Sequence, residues 1–113
     1  MSSVAAQARL WYWQRISAMV LALFVVVHLA TIAWAVRGGL SGAEILARTQ
    51  GSWLLAAFYG GFVIACAVHV PIGLARIAEE WLGWSGRLAN AVAAALALAL
   101  AVLGLRAVYA VIA

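Results

Sequence analysis

Charge is scarce in this chain. Only 9% of its 113 residues are charged, and the basic side chains are seven arginines with no lysine among them. Hydrophobic residues make up 69%, more apolar surface than a soluble domain of this size has interior to hide. The natural solvent is lipid. Cysteine is also nearly missing. With Cys66 alone, an intrachain disulfide and a CxxC metal site are both excluded, and Cys66 itself reads as a small packing residue. The net charge of +4 does not point to nucleic acid, because the arginines stand at the ends of apolar runs and form no patch. Their placement reads instead as membrane topology. Proline occurs once, at Pro71, inside the second apolar run. There it lacks an N–H and frees the carbonyl of Ala67, so a kink is expected one turn earlier.

What is present is three long apolar runs. The first is uncharged from Ile16 to Val36, about 30 Å as a helix, which is the thickness of the hydrocarbon core. It is longer than a signal-peptide core. Trp11, Tyr12 and Trp13 precede it and Trp34 closes it, where interfacial aromatic belts belong. The second runs from Trp53 to Ala75 and the third from Leu88 to Ile112. The third is mostly alanine and leucine, a composition that lets helices approach closely in lipid. Residues 1–10 read as a short polar tail. Residues 37–51 and 76–87 read as loops, the first holding a short helix near Glu44 to Arg48 with Ser41 as its N-cap. The expected fold is all-α, an integral membrane three-helix bundle forming one transmembrane domain over residues 1–113, with spans of about 16–36, 53–75 and 88–112. Arg9, Arg15, Arg76 and Arg87 fall on the N-terminal side, against Arg37, Arg48 and Arg106 on the other. That bias places the N-terminus in the cytoplasm, as a multi-pass protein of the cytoplasmic (inner) membrane.

Two histidines lie inside the apolar runs, His28 in the first and His69 in the second. Ionisable residues are costly in hydrocarbon and usually mark function. Counted from the outer ends of their helices at 1.5 Å per residue, His28 lies about 13 Å deep and His69 about 25 Å. Two imidazoles on one haem iron must stand at one height, so the two histidines of one chain are not expected to share an iron. Each needs a partner ligand from another subunit or from a second copy of the chain. Gly73 and Arg76 share the helical face of His69. The glycine offers room for a flat macrocycle, and the arginine a partner for a propionate. Ser17, with Arg15 and Trp13 nearby, is a candidate receiver for quinone carbonyls near the inner surface. Plainer readings stand beside these. Each histidine would only hydrogen-bond a neighbouring helix, or relay protons. Arg15 would be a topology anchor, Glu79 and Glu80 a solvated helix end, and Arg106 a snorkelling side chain.

At these residues the chain resembles the cytochrome b membrane-anchor subunits of succinate dehydrogenase and fumarate reductase. Arg15 to Leu29, RISAMVLALFVVVHL, is similar to the first transmembrane helix of that family. There the arginine and serine lie near the quinone site, and in the dihaem members a histidine at the place of His28 ligates haem. His69 to Trp81, HVPIGLARIAEEW, resembles the second-helix pattern, whose histidine is an axial haem ligand. The resemblance implies haem b with His69 and His28 as axial ligands of the iron, and quinone as substrate. It implies a flavoprotein and an iron–sulfur subunit as partners, and no dicarboxylate chemistry in this chain. Single-chain dihaem anchors have five helices and four ligand histidines, so this chain looks like half of one. That favours pairing with a second copy or a sister membrane anchor. The alternative is a cofactor-free packing or proton-relay subunit.

Overall fold

The computed structural model describes residues 3–113. It contains four helices: α1 (Val4–Gly38), α2 (Gly42–Thr49), α3 (Trp53–Leu82) and α4 (Gly86–Ile112). Of the tail expected over residues 1–10, the first two lie outside the described residues, and Val4 onward is already helical. Hydropathy marks where lipid begins, whereas Ala, Gln, Arg and Leu are good helix formers in any solvent. Each helix opens on a serine. Ser3, Ser41, Ser52 and Ser85 each accept a hydrogen bond from the backbone N–H three residues on, which satisfies one of the orphan donors of a first turn.

The loop expected over residues 76–87 shrinks to the three residues 83–85. α3 continues through Arg76, whose guanidinium lies 3.4 Å from the Glu79 carboxylate one turn on. It ends at Gly83, which takes the left-handed conformation at φ 67°. There the Trp84 N–H turns back to the Ala78 carbonyl at 3.1 Å, a glycine C-cap closure. The helix is unbroken through Pro71, whose ring is buried.

The linker between α1 and α3 is tightly ordered. Ser41 and Glu44 form a capping box, with the Glu44 carboxylate accepting from the Ser41 N–H at 2.9 Å. These hydrogen bonds from Ser41, aided by the nearby Arg48, hold the Glu44 carboxyl below its usual pKa. Arg48 donates to the Gly39 carbonyl at 2.7 Å and lies over the Trp34 ring. At its other end the linker seals α4. Thr49 Oγ1 donates to the Val111 carbonyl and the Gly51 N–H to the Ile112 carbonyl, each at 2.7 Å.

α3 is the central helix. It packs along α4 on one side and α1 on another, while α1 and α4 meet only marginally. The assembly is 51 Å long, enough to cross a bilayer with its headgroup layers. Three helices are long and apolar enough to cross a membrane. Among the described residues there is no conventional core, and the buried hydrophobic ones are Ala35, Ala78 and Ala89. Leu23, Val26, Leu98, Leu103 and many like them point outward. From Gln14 on, the covered residues of α1 other than Ile16 are Gln14, Ser17, Leu21, Phe24, His28, Thr31 and Ala35. They alternate steps of three and four, the spacing of a seam between two helices. Lipid thus receives most of the large aliphatic residues of α1, while its polar Gln14, Ser17 and His28 face the helix contact. Along α4 the approach is close at Gly104, where an added Cβ would run into the Val63 side chain.

Candidate functional site

The α1 seam carries both histidine levels. At the level nearer the start of α1, Ser17 is only 5% exposed. Its Oγ donates to the Gln14 carbonyl at 3.0 Å and lies 3.3 Å from Nδ1 of His69 on α3. At the farther level the relation reverses. His28 belongs to α1 and the hydroxyl to α3, with Nδ1 of His28 3.2 Å from the Tyr59 hydroxyl. Each helix therefore supplies one histidine and the hydroxyl that holds the other. Neither Nε2 atom has a hydrogen-bond partner among the described residues.

Ser17 precedes His28 by eleven residues, and Tyr59 precedes His69 by ten. At the helical rise the two levels are about 15 Å apart, close to the spacing expected from the sequence. Aromatic rings lie between them. Phe24 stacks on Phe62 with centroids 5.5 Å apart and meets Phe58 edge-on at 5.0 Å. Phe62 also reaches the His28 ring, edge-on at 5.9 Å. Tyr59 and Gln14 are the residues the sequence reading missed. Ten and eleven residues of spacing are visible in the chain, but which α1 residue faces which α3 residue is not.

The other candidates are distributed as follows. Gly73 faces Gln14, and an added Cβ would lie 3.0 Å from the Gln14 amide nitrogen. That amide occupies the space beside the glycine, and α1 approaches α3 closely there. The Gln14 Oε1 is buried without a hydrogen-bond partner among the described residues. Arg76 is partly exposed and borders two clefts, of about 480 and 540 Å³. Trp13 lines the first of these together with Pro71, Glu79 and Asn90. Ser17 points into the α1–α3 contact, and Arg15 is exposed with its guanidinium 5.1 Å from the centre of the Trp11 ring. Trp13, Arg15 and Ser17 therefore do not converge on one pocket. Arg76 takes a place beside Trp13 instead. His28 borders a further apolar cleft of about 460 Å³ with Tyr59, Phe62 and Gly104.

The donor chemistry separates the candidate cofactors. No group of three His, Cys, Asp or Glu that could hold a metal ion exists among the described residues, so a chelated ion has no ligand set here. A haem iron asks each side for one imidazole nitrogen. His69 meets that requirement, with Nδ1 engaged and Nε2 without a partner.

No curated protein and no solved structure matches the chain. The family described as the succinate dehydrogenase/fumarate reductase transmembrane subunit matches residues 1–110. Nearly the whole chain is covered, including all three apolar helices and both histidine levels, and the protein belongs to that family of membrane subunits.

Proposed function

We propose that the chain is the haem b-binding membrane anchor of a succinate:quinone or quinol:fumarate oxidoreductase. It would sit in the cytoplasmic membrane with its N-terminus on the cytoplasmic side, beneath a flavoprotein and an iron–sulfur subunit. The observation that carries the reading is His69. It is an intramembrane imidazole with one nitrogen anchored to the adjacent helix and the other without a partner.

His69 would supply an axial nitrogen, and Arg76 a cation for a propionate. Bound haem would supply one-electron storage between an iron–sulfur cluster and the membrane quinone. The apolar helices exclude water and set the polarity around the bound group. For the quinone, the cleft bordered by Trp13 and Arg76 is the better supported pocket. It has apolar walls from Pro71 and Ile72 and polar groups from Arg76 and Asn90, the usual make-up of a small-molecule site. Arg15, exposed at the start of the span, acts as a topology anchor in this reading.

His28 is proposed as an axial ligand at the second level. The separation of about 15 Å favours a partner ligand, for His28 as for His69, from a second copy of the chain or a sister anchor. The packing alternative has the two interhelical hydrogen bonds in its favour, Ser17 with His69 and Tyr59 with His28, each of which ties an intramembrane histidine to the neighbouring helix. The reduced-minus-oxidised spectrum of the purified complex, with haem counted per chain, tests both. His69→Ala should abolish b-type haem. Retention of haem and spectrum in that variant would overturn the assignment. A further loss on His28→Ala would support a ligand at the second level, and an unchanged spectrum would leave His28 as a packing residue.

A further inference from the structure

We infer that Ser17 is the positioning residue that fixes the His69 imidazole as an Nε2 ligand. The inference rests on the proposed haem function and goes beyond it by assigning the proton. Ser17 has one hydroxyl hydrogen, and the nearer acceptor for it is the Gln14 carbonyl, at 3.0 Å against 3.3 Å to Nδ1 of His69. With the hydrogen directed there, the same oxygen has only lone pairs to offer His69, at 3.3 Å from Nδ1. A contact between two lone pairs would be repulsive, so Nδ1 carries the hydrogen and donates to Ser17. In a neutral imidazole that leaves the lone pair on Nε2, the nitrogen with no protein partner.

The second level shows what is special about the first. Tyr59 has no other acceptor for its phenolic hydrogen among the described residues. It is free to donate to Nδ1 of His28 as well as to accept from it. The geometry therefore selects one tautomer at His69 and leaves both open at His28. Ser17 is also buried, at 5% exposure, so no external group competes for its oxygen. The i−3 back-bond of a serine usually weakens a helix slightly. Here it directs the hydroxyl hydrogen away from the imidazole.

The experiment is a redox titration of haem in the intact, membrane-extracted complex, comparing wild type with Ser17→Ala, Ser17→Cys and Ser17→Thr. An acceptor on Nδ1–H raises the basicity of a ligating imidazole and so favours the oxidised iron. Ser17→Ala should shift the midpoint potential upward and loosen haem by about tenfold, the low end of the usual effect of such partners. Ser17→Cys, nearly the same size with a weak acceptor, should shift the potential the same way. Ser17→Thr keeps the hydroxyl and should stay near wild type. An unchanged potential in both the Ala and Cys variants would overturn the inference. So would a Thr variant that shifts as far as Ala, because that pattern reports packing alone. A wild-type complex without haem, or haem retained in His69→Ala, would instead overturn the haem assignment, and this inference with it.

Discussion

The Tyr59 hydroxyl lies 3.2 Å from Nδ1 of His28, and this contact joins α1 to α3 three turns away from the Ser17–His69 contact. Interhelical hydrogen bonds in lipid average about 0.6 kcal/mol and reach about 1.7. A double-mutant cycle of Tyr59→Phe and His28→Ala, read by unfolding in mixed micelles, should give a coupling of about 1 kcal/mol. A coupling near zero would mean that the two rings only touch.

Gly104 tests the packing of α4. A Cβ at this position meets both methyl carbons of Val63. Gly104→Ala should cost about 1–3 kcal/mol, the usual range for overpacking. Val63→Ala in the same molecule should recover most of that loss, because it removes the obstructing methyl groups. Thermal unfolding of the two single variants and the double variant checks the compensation.

Glu44 provides a pH dependence confined to the linker. Its carboxyl titrates below the usual value of 4.5 because Ser41 hydrogen-bonds it. A depressed folded-state pKa contributes stability that is present above the unfolded value and lost as pH falls through the folded one. Amide protection in α2, corrected for the intrinsic pH dependence of exchange, should therefore fall in that acid window. Glu44→Gln keeps a capping-box side chain and should flatten the dependence. Equal acid sensitivity in the variant would assign the effect to another group.

Thr49 ties the linker to the end of α4 through its 2.7 Å hydrogen bond to the Val111 carbonyl. Thr49→Val preserves shape and removes the donor. It should cost about 1 kcal/mol and raise amide exchange at the C-terminal turn of α4 before it affects the histidine levels. Exchange rising uniformly along all helices would show that the loss is not local.

Much of this arrangement is legible in the residues. The three apolar runs locate the spans because hydrocarbon tolerates few charges. The depth difference between His28 and His69 follows from counting residues at a fixed rise. Ser41 and Glu44 announce the short helix between the first two spans. The helix ends were less legible. Val4 to Leu10 and Arg76 to Leu82 are polar or mixed enough to read as tail and loop, yet their propensities and the Arg76–Glu79 pair keep them helical outside the apolar runs. The partners of the histidines could not be read from the chain. Ser17 and Tyr59 acquire their roles only when α1 and α3 meet in one particular register. Gly73 read in the chain as room for a flat macrocycle, and nothing there showed that the Gln14 amide lies against it.

The crossed exchange of histidine and hydroxyl has a mechanical consequence. Sliding α1 past α3 by a single residue would displace one helix by about 1.5 Å and present a side chain turned by about 100°. Both hydrogen bonds would break together, because each helix holds a histidine at one end and a hydroxyl at the other. Two pins about 15 Å apart resist rotation and translation alike. An aliphatic seam, whose residues are interchangeable with lipid tails, would oppose neither. The two polar contacts thus act as alignment keys that set how α1 and α3 meet before any cofactor or partner subunit arrives.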